Sequence, residues 1–174
     1  MTRRQSVRTG VLFIVATASV LAGNALSTHG RVVAELVAAV SSAGIAASLF
    51  TALGSLGPGA VAFRSIEGVL YAIGAFALLS PHAGALREHA ILGGVFAFCA
   101  GATLYYVSFF RSRVVPRWLS LWGIVGTALM SIACVLSLES GAPITSHVLL
   151  ALPIAVQEMV LAVWLIASPR ARPA

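Results

Sequence analysis

Arg64-Ser65-Ile66-Glu67-Gly68-Val69-Leu70-Tyr71 places an arginine and a glutamate three residues apart inside an apolar run. A charge near the centre of a bilayer costs roughly 2.5 to 3.5 kcal/mol even on lenient insertion scales, so ionisable residues inside a span mark a functional site by default. Composition decides that this run is a span. Of 174 residues, 59% are hydrophobic and 9% charged, with a mean hydropathy of +0.99, whereas soluble chains carry about 25% charged residues. The chain reads as all-α: a polytopic membrane helix bundle in one transmembrane domain, residues 1–174. Its length suits six transmembrane helices of about 20 residues and leaves no room for a soluble domain.

Outward from that stretch, breaker and polar segments bound the spans at about 11–26, 32–53, 60–79, 90–110, 118–138 and 148–167. Gly57-Pro58-Gly59 is an uncharged turn with strong breaker chemistry, and Ser80 to His89 is a polar loop. Pro153 inside the last span removes a backbone donor and frees the Leu149 carbonyl, so a bend is expected there. The net charge of +6 comes from arginines. They lie mainly in short connections rather than on a basic helix or patch, which argues against a nucleic-acid partner. Arg3, Arg4, Arg8, Arg111, Arg113, Arg117, Arg170 and Arg172 share one side, and Arg31 and Arg87 the other. The positive-inside rule then makes both termini cytoplasmic, in a bacterial inner (plasma) membrane, with the lipid bilayer as the obligatory partner. Oligomeric state is not legible.

Depth along each span follows from 1.5 Å of rise per residue. Glu67 and Glu158 each lie about 12 to 13 Å from the cytoplasmic side, in one layer. Arg64 and Tyr71 share a helix face with Glu67, at i−3 and i+4, and Gln157 borders Glu158. One positive and two negative charges leave one negative charge over. Either a glutamate is protonated by desolvation, or the site holds a proton, metal ion or cationic group. This reading requires spans three and six to be neighbours. The bland alternative is an intrahelical Arg64–Glu67 pair, with Arg64 reaching toward the cytoplasm and Glu158 bonding across helices as a neutral acid. Glu67-Gly68-Val69-Leu70 and Glu158-Met159-Val160-Leu161 share the pattern Glu-x-Val-Leu, each in the third span of a three-span half, which would make the halves inverted repeats.

Other chemistry-bearing residues read as structural. Cys99 and Cys134 fall in apolar runs at different depths, and a disulfide needs Cα atoms within about 7 Å, so buried reduced thiols are expected. His29, His82, His89 and His147, with Glu88 and Glu139, gather on the outer side without a helix-spaced ligand pattern, so neither a metal nor a cofactor is expected. Tyr105 and Tyr106, with Phe109, Phe110, Trp118, Trp122 and Trp164, form an aromatic belt, although either tyrosine reaches the depth of Arg64.

Several segments together resemble a known family: Gly10 to Thr17, Ala62 to Glu67, Tyr105-Tyr106, Arg111-Ser112-Arg113-Val114-Val115-Pro116-Arg117-Trp118-Leu119-Ser120-Leu121-Trp122-Gly123, and Pro153 to Glu158 followed by Leu161 to Ile166. They are similar to a bacterial membrane family catalogued as domain of unknown function 4386, over nearly the whole chain. The resemblance implies that Arg64, Glu67 and Glu158 occupy the family's characteristic charged positions. It also implies a retained first helix, although basic residues 1–10 before an apolar run, with Gly23-Asn24-Ala25 after it, would suit a signal peptide. Two features depart from the family. The connection after span two is short and lacks basic residues, and the tail ends Ser168-Pro169-Arg170 rather than Lys-Gly-Phe.

Three functional classes follow. A small transporter would bind a polar or cationic ligand, or protons, at Arg64, Glu67, Tyr71, Gln157 and Glu158. A membrane-embedded enzyme acting on a lipid or isoprenoid would use a protonated glutamate as general acid, helped by Tyr71. The third class is a structural or accessory subunit. The absence of HExxH, GxSxG and any aspartate removes the commonest intramembrane hydrolase and prenyl-diphosphate signatures.

Overall fold

The structure is a computed structural model describing residues 2–23, 25–50 and 53–168. Six helices follow one another: α1 Arg3–Gly23, α2 Thr28–Leu49, α3 Gly57–Ala77, α4 Gly84–Ser112, α5 Arg117–Ser140 and α6 Val148–Ala167, with short 3-10 turns at Gly54–Leu56 and Ile144–His147. Each is long and apolar enough to cross a bilayer. Their outward side chains, Val40, Val69, Phe76, Leu149 and Val163 among them, are apolar and exposed. Such an exterior is solvated by lipid rather than water.

The breaks follow from local chemistry. Pro58 opens α3 in its first turn, where its missing N–H has no intrahelical partner to lose. Arg113, with φ 55, takes the left-handed cap after α4. Pro116 caps the start of α5, and Gly141, with φ 67, ends it. Pro153 sits in the second turn of α6, which continues as one helix to Ala167.

The helices run past several predicted span ends. Arg3 to Gly10 already belong to α1, Thr28 to Arg31 to α2, Arg87, Glu88 and His89 to α4, and Glu139 to α5. Hydropathy marks where lipid begins, whereas a helix continues for as long as its backbone bonds are undisturbed. Arginine and glutamate are good helix formers in their own right. Arg170 and Arg172 of the basic tail, Asn24, and positions 51 and 52 of the second predicted span lie outside the described residues.

Each helix packs on its neighbours in the chain, and α6 closes back on α1, so the six form a ring in sequence order. Among the described residues α3 and α6 form no packed pair; they stand opposite each other across the ring. The sequence left open whether spans three and six touch and made the site depend on it; the two helices are not packed neighbours, and it is side chains on their inward faces that line one shared space.

The ring is filled unevenly. Toward the face carrying the N-terminus, hereafter the terminal face, Phe13, Ile45, Leu49, Tyr105, Tyr106, Phe109, Leu119, Leu161 and Leu165 form a fully buried core. Phe13 and Tyr105 meet edge to face with centroids 6.0 Å apart, and Tyr105 and Tyr106 lie 4.4 Å apart. Glycines admit this packing. A Cβ at Gly123 would stand 2.5 Å from the Tyr106 ring, and one at Gly10 would stand 2.7 Å from the Ala162 carbonyl oxygen.

Cys99 and Cys134 are buried free thiols, as expected, and they share one cluster. Cys99 lies 13 residues before the end of α4 at Ser112, and Cys134 lies 17 after the start of α5 at Arg117. Counted from that shared turn, the two differ in depth by ~6 Å of rise, about one helical turn.

Candidate functional site

On the other side of the aromatic core, toward the face opposite the termini, the ring axis is open. A cavity of about 160 Å³ is lined from all six helices, including Thr17, Ser42, Arg64, Glu67, Tyr71, Phe98, Met130 and Glu158. Its apolar wall combines Val20, Leu21 and Ile154 with Ala16, Ala38, Ala151 and Ala155, small residues whose size leaves space. The volume is well below the roughly 300–1,000 Å³ of drug-sized pockets and suits a few waters or a ligand of few heavy atoms.

Arg64 and Glu67 project from one face of α3 and are 2% and 3% exposed. Arg64 Nη1 lies 2.9 Å from Glu67 Oε2. Their alignment is poor for hydrogen bonding, so Arg64 Nε and Nη1 and Glu67 Oε2 are buried without a hydrogen-bond partner. The guanidinium does not reach toward the terminal face; its Cζ sits 5.2 Å from the centre of the Phe98 ring. Gly101 of α4 makes room, since a Cβ there would meet Arg64 Cγ at 3.3 Å. Ser42 Oγ of α2 donates to Glu67 Oε1 at 3.0 Å.

Glu158 approaches from the opposite side of the ring. Thr17 Oγ1 of α1 donates to its Oε2 at 3.2 Å, and Tyr105 OH of α4 to its Oε1 at 3.3 Å. Both donors are neutral. The three ion pairs among the described residues involve Glu35 with Arg31 and Arg87, and Glu67 with Arg64; Glu158 is in none.

Arg64, Glu67, Tyr71 and Glu158 thus line one cavity, whereas Gln157 does not. Successive helical residues point about 100° apart, and Gln157 faces the α4–α5 side. There its Oε1 accepts a short bond from Tyr106 OH, and its Nε2 donates to the Leu119 carbonyl at 3.0 Å. The belt assignment of the tyrosines is overturned as well: Tyr105 and Tyr106 are 1% and 0% exposed and hold Glu158 and Gln157. Sequence reasoning missed Thr17 and Ser42. The available signal was a hydroxyl at mid-span in each of two helices, Thr17 near Ser19 and Ser42 next to Ser41, at the depth of the glutamates.

A six-helix bundle with a few ionisable side chains gathered around an axial cavity defines the class: a multi-pass membrane protein with buried charged groups in an otherwise apolar interior. Within it, residues 83–168, covering α4 to α6, match the family model described as Domain of unknown function (DUF4386). The resemblance read from the Arg111 to Gly123 loop and the Pro153 to Glu158 helix stands on those residues. The Gly10 to Thr17 and Ala62 to Glu67 segments lie outside the matched stretch. No curated protein and no solved structure matches the chain.

Proposed function

We propose that this protein binds a small cationic or polar ligand, or a proton, at Glu158 together with the Arg64–Glu67 pair, and carries it across the membrane. One observation carries the reading: Glu158 is a buried carboxylate beside a cavity with no cation against it among the described residues. Arg64 is paired with Glu67 and lines the same cavity as Glu158, so one cation stands against two carboxyl groups and one negative charge is left over when both are ionised. A proton or a protonated amine would balance it, and Tyr71, Phe98 and Met130 would flank the apolar part of such an amine.

The cavity extends toward one face of the bundle. Lining residues lead from the Glu67–Glu158 layer toward the face opposite the termini, while the aromatic core fills the other side. Arg3, Arg4, Arg8, Arg111, Arg113 and Arg117 lie on the terminal face, and Arg31 and Arg87 on the other are both paired with Glu35. That asymmetry supports cytoplasmic termini and a plasma-membrane location, with the cavity facing outward.

Proteoliposomes loaded with a pH-sensitive dye test the proposal, using an acid pulse and then methylammonium as probes. Uptake is expected from wild-type protein and not from Glu158→Gln purified as the same monodisperse species. Equal uptake by both, or by neither, refutes it. The enzyme alternative draws support from Val20 and Leu21, which border the cavity and are also exposed on the lipid side. Product formed from a lipid extract without flux would favour that reading.

A further inference from the structure

We infer a second ligand site, separate from Glu158: a soft monovalent metal site, of the Cu(I) or Ag(I) class, formed by the thiols of Cys99 and Cys134 and the thioether of Met130. The site sits where α4 and α5 cross. Thr103 Oγ1 and Thr127 Oγ1 lie 3.2 Å apart, which marks the antiparallel register. One turn further toward the open face, Cys99 comes opposite Ser131, flanked by Met130 on one side and Cys134 on the other. Cys99 and Cys134 are 4% and 0% exposed and pack in one cluster with Met130 against it. Met130 and Cys134, at i and i+4, share a face of α5.

Donor chemistry selects the ion. Thiol and thioether sulfur favour Cu(I) and disfavour hard cations. The carbonyl oxygen of Cys99 is engaged by Thr103 Oγ1 at 2.7 Å, and the Ser131 hydroxyl donates to the Thr127 carbonyl at 2.8 Å. Val95, Leu92 and Phe96 complete the apolar surroundings. Among the described residues no three His, Cys, Asp or Glu side chains gather as a metal site, so the methionine is what completes this one. On binding, two S–H bonds break, two metal–sulfur bonds form, and both protons leave to water. The thioether coordinates as a neutral donor, the two thiolates and the monovalent ion leave one negative charge, and nothing is oxidised or reduced.

Position gives the site a role. Leu92 and Ile144 border both this cluster and an outer pocket of about 370 Å³ that Arg31, Arg87, Glu88 and His89 line. Phe98 and Met130 border both the cluster and the central cavity. The sulfur cluster therefore stands between the two spaces, where an arriving ion would pass from one to the other.

Full-length protein, purified in detergent without oxygen, would be titrated with Cu(I) against a chromophoric Cu(I) chelator, and the bound metal examined by X-ray absorption. The expected result is one Cu(I) per chain in an all-sulfur environment. Retention should be lost in Cys99→Ser and Cys134→Ser, weakened about 10–100-fold in Met130→Leu, and unchanged in Glu158→Gln. That last variant separates this site from the proposed carrier function, since either can fail alone. No Cu(I) retained by reduced wild-type protein overturns the site, as does retention unaffected by the paired Cys99→Ser and Cys134→Ser substitutions. A Cys99–Cys134 disulfide forming under mild oxidant in protein that retains no Cu(I) overturns it too. Should a serine variant fail to fold, the wild-type absorption spectrum decides alone: sulfur neighbours support the site, and oxygen or nitrogen neighbours refute it.

Discussion

Removing one partner of the Arg64–Glu67 pair is the perturbation that best separates a ligand site from interhelical glue. Both side chains are at most 4% exposed and lie 2.9 Å apart. Glu67→Gln keeps a bond to Ser42 but leaves Arg64 as a buried cation whose Nε and Nη1 already lack hydrogen-bond acceptors. Breaking a buried pair in this way costs about 3–5 kcal/mol in soluble interiors. In Arg64→Met the stranded group is a carboxylate that can take up a proton, so we expect a smaller loss, ~1–2 kcal/mol, of the order of one unsatisfied buried polar group. The double variant removes both charges and should recover to within ~1 kcal/mol of wild type, because two well-packed neutral side chains often replace a buried pair without loss. Reversible unfolding in mixed detergent–SDS micelles, followed by fluorescence of the three tryptophans, measures all four proteins. A coupling energy of ~2 kcal/mol or more supports the pairing. A value at or below ~0.6 kcal/mol, the mean for polar contacts between membrane helices, refutes it. A double variant that regains stability but not proton or methylammonium uptake assigns the pair to the site; one that regains both makes it glue.

Gly123→Ala would push a Cβ to 2.5 Å from the Tyr106 ring and should destabilise by about 1–3 kcal/mol in the same assay; an unchanged midpoint would show that the aromatic core is loosely packed. Tyr106→Phe deletes the donor to Gln157 Oε1 and should cost about 1 kcal/mol without affecting uptake, since Gln157 points away from the cavity. Tyr105→Phe and Thr17→Ala each remove one donor to Glu158. Either should alter methylammonium uptake more than stability, and the reverse order would count against a role for Glu158. Arg87→Ala removes two bonds to Glu35 and one to the Gly74 carbonyl, which tie α4 to α2 and α3. A loss of about 1–2 kcal/mol is expected, with little dependence on salt because the pair is largely buried.

Fold class was legible because bilayer thickness forces spans of fixed length, and breaker residues such as Gly57, Pro58, Pro116 and Gly141 stand where the helices change. Helix ends were less legible, since Arg3 to Arg8 and Arg87 to His89 carry no signal that separates a polar loop from a helix emerging into water. The Arg64, Glu67 and Glu158 layer was also within reach, because depth is a count along a rigid rod. Rotation about each rod was not. Gln157 and Glu158 share a depth yet face different neighbours, and Tyr105 and Tyr106 turned inward where composition alone suggested an interface.

Ring order explains why a site on the third and sixth helices falls on the axis although those helices never pack. In a closed ring of six antiparallel neighbours, each helix stands opposite the one three places on. Two three-helix halves therefore place their corresponding members face to face across the centre. Glu67 and Glu158, each followed by x-Val-Leu, are such corresponding residues. An inward charge on α3 thus meets an inward charge on α6 in a region where small residues, Ala16, Ala38, Ala151 and Ala155, leave space. Bulky residues on the same inward stripes fill the terminal side, Phe13 on α1 and Ile45 and Leu49 on α2. Cavity and plug are thus consecutive stretches of the same helix faces. Enlarging Ala38 and Ala155 to leucine should extend the plug and close the space. The resulting protein would be at least as stable and would take up no methylammonium, whereas uptake undiminished by that filling would show that the route runs elsewhere.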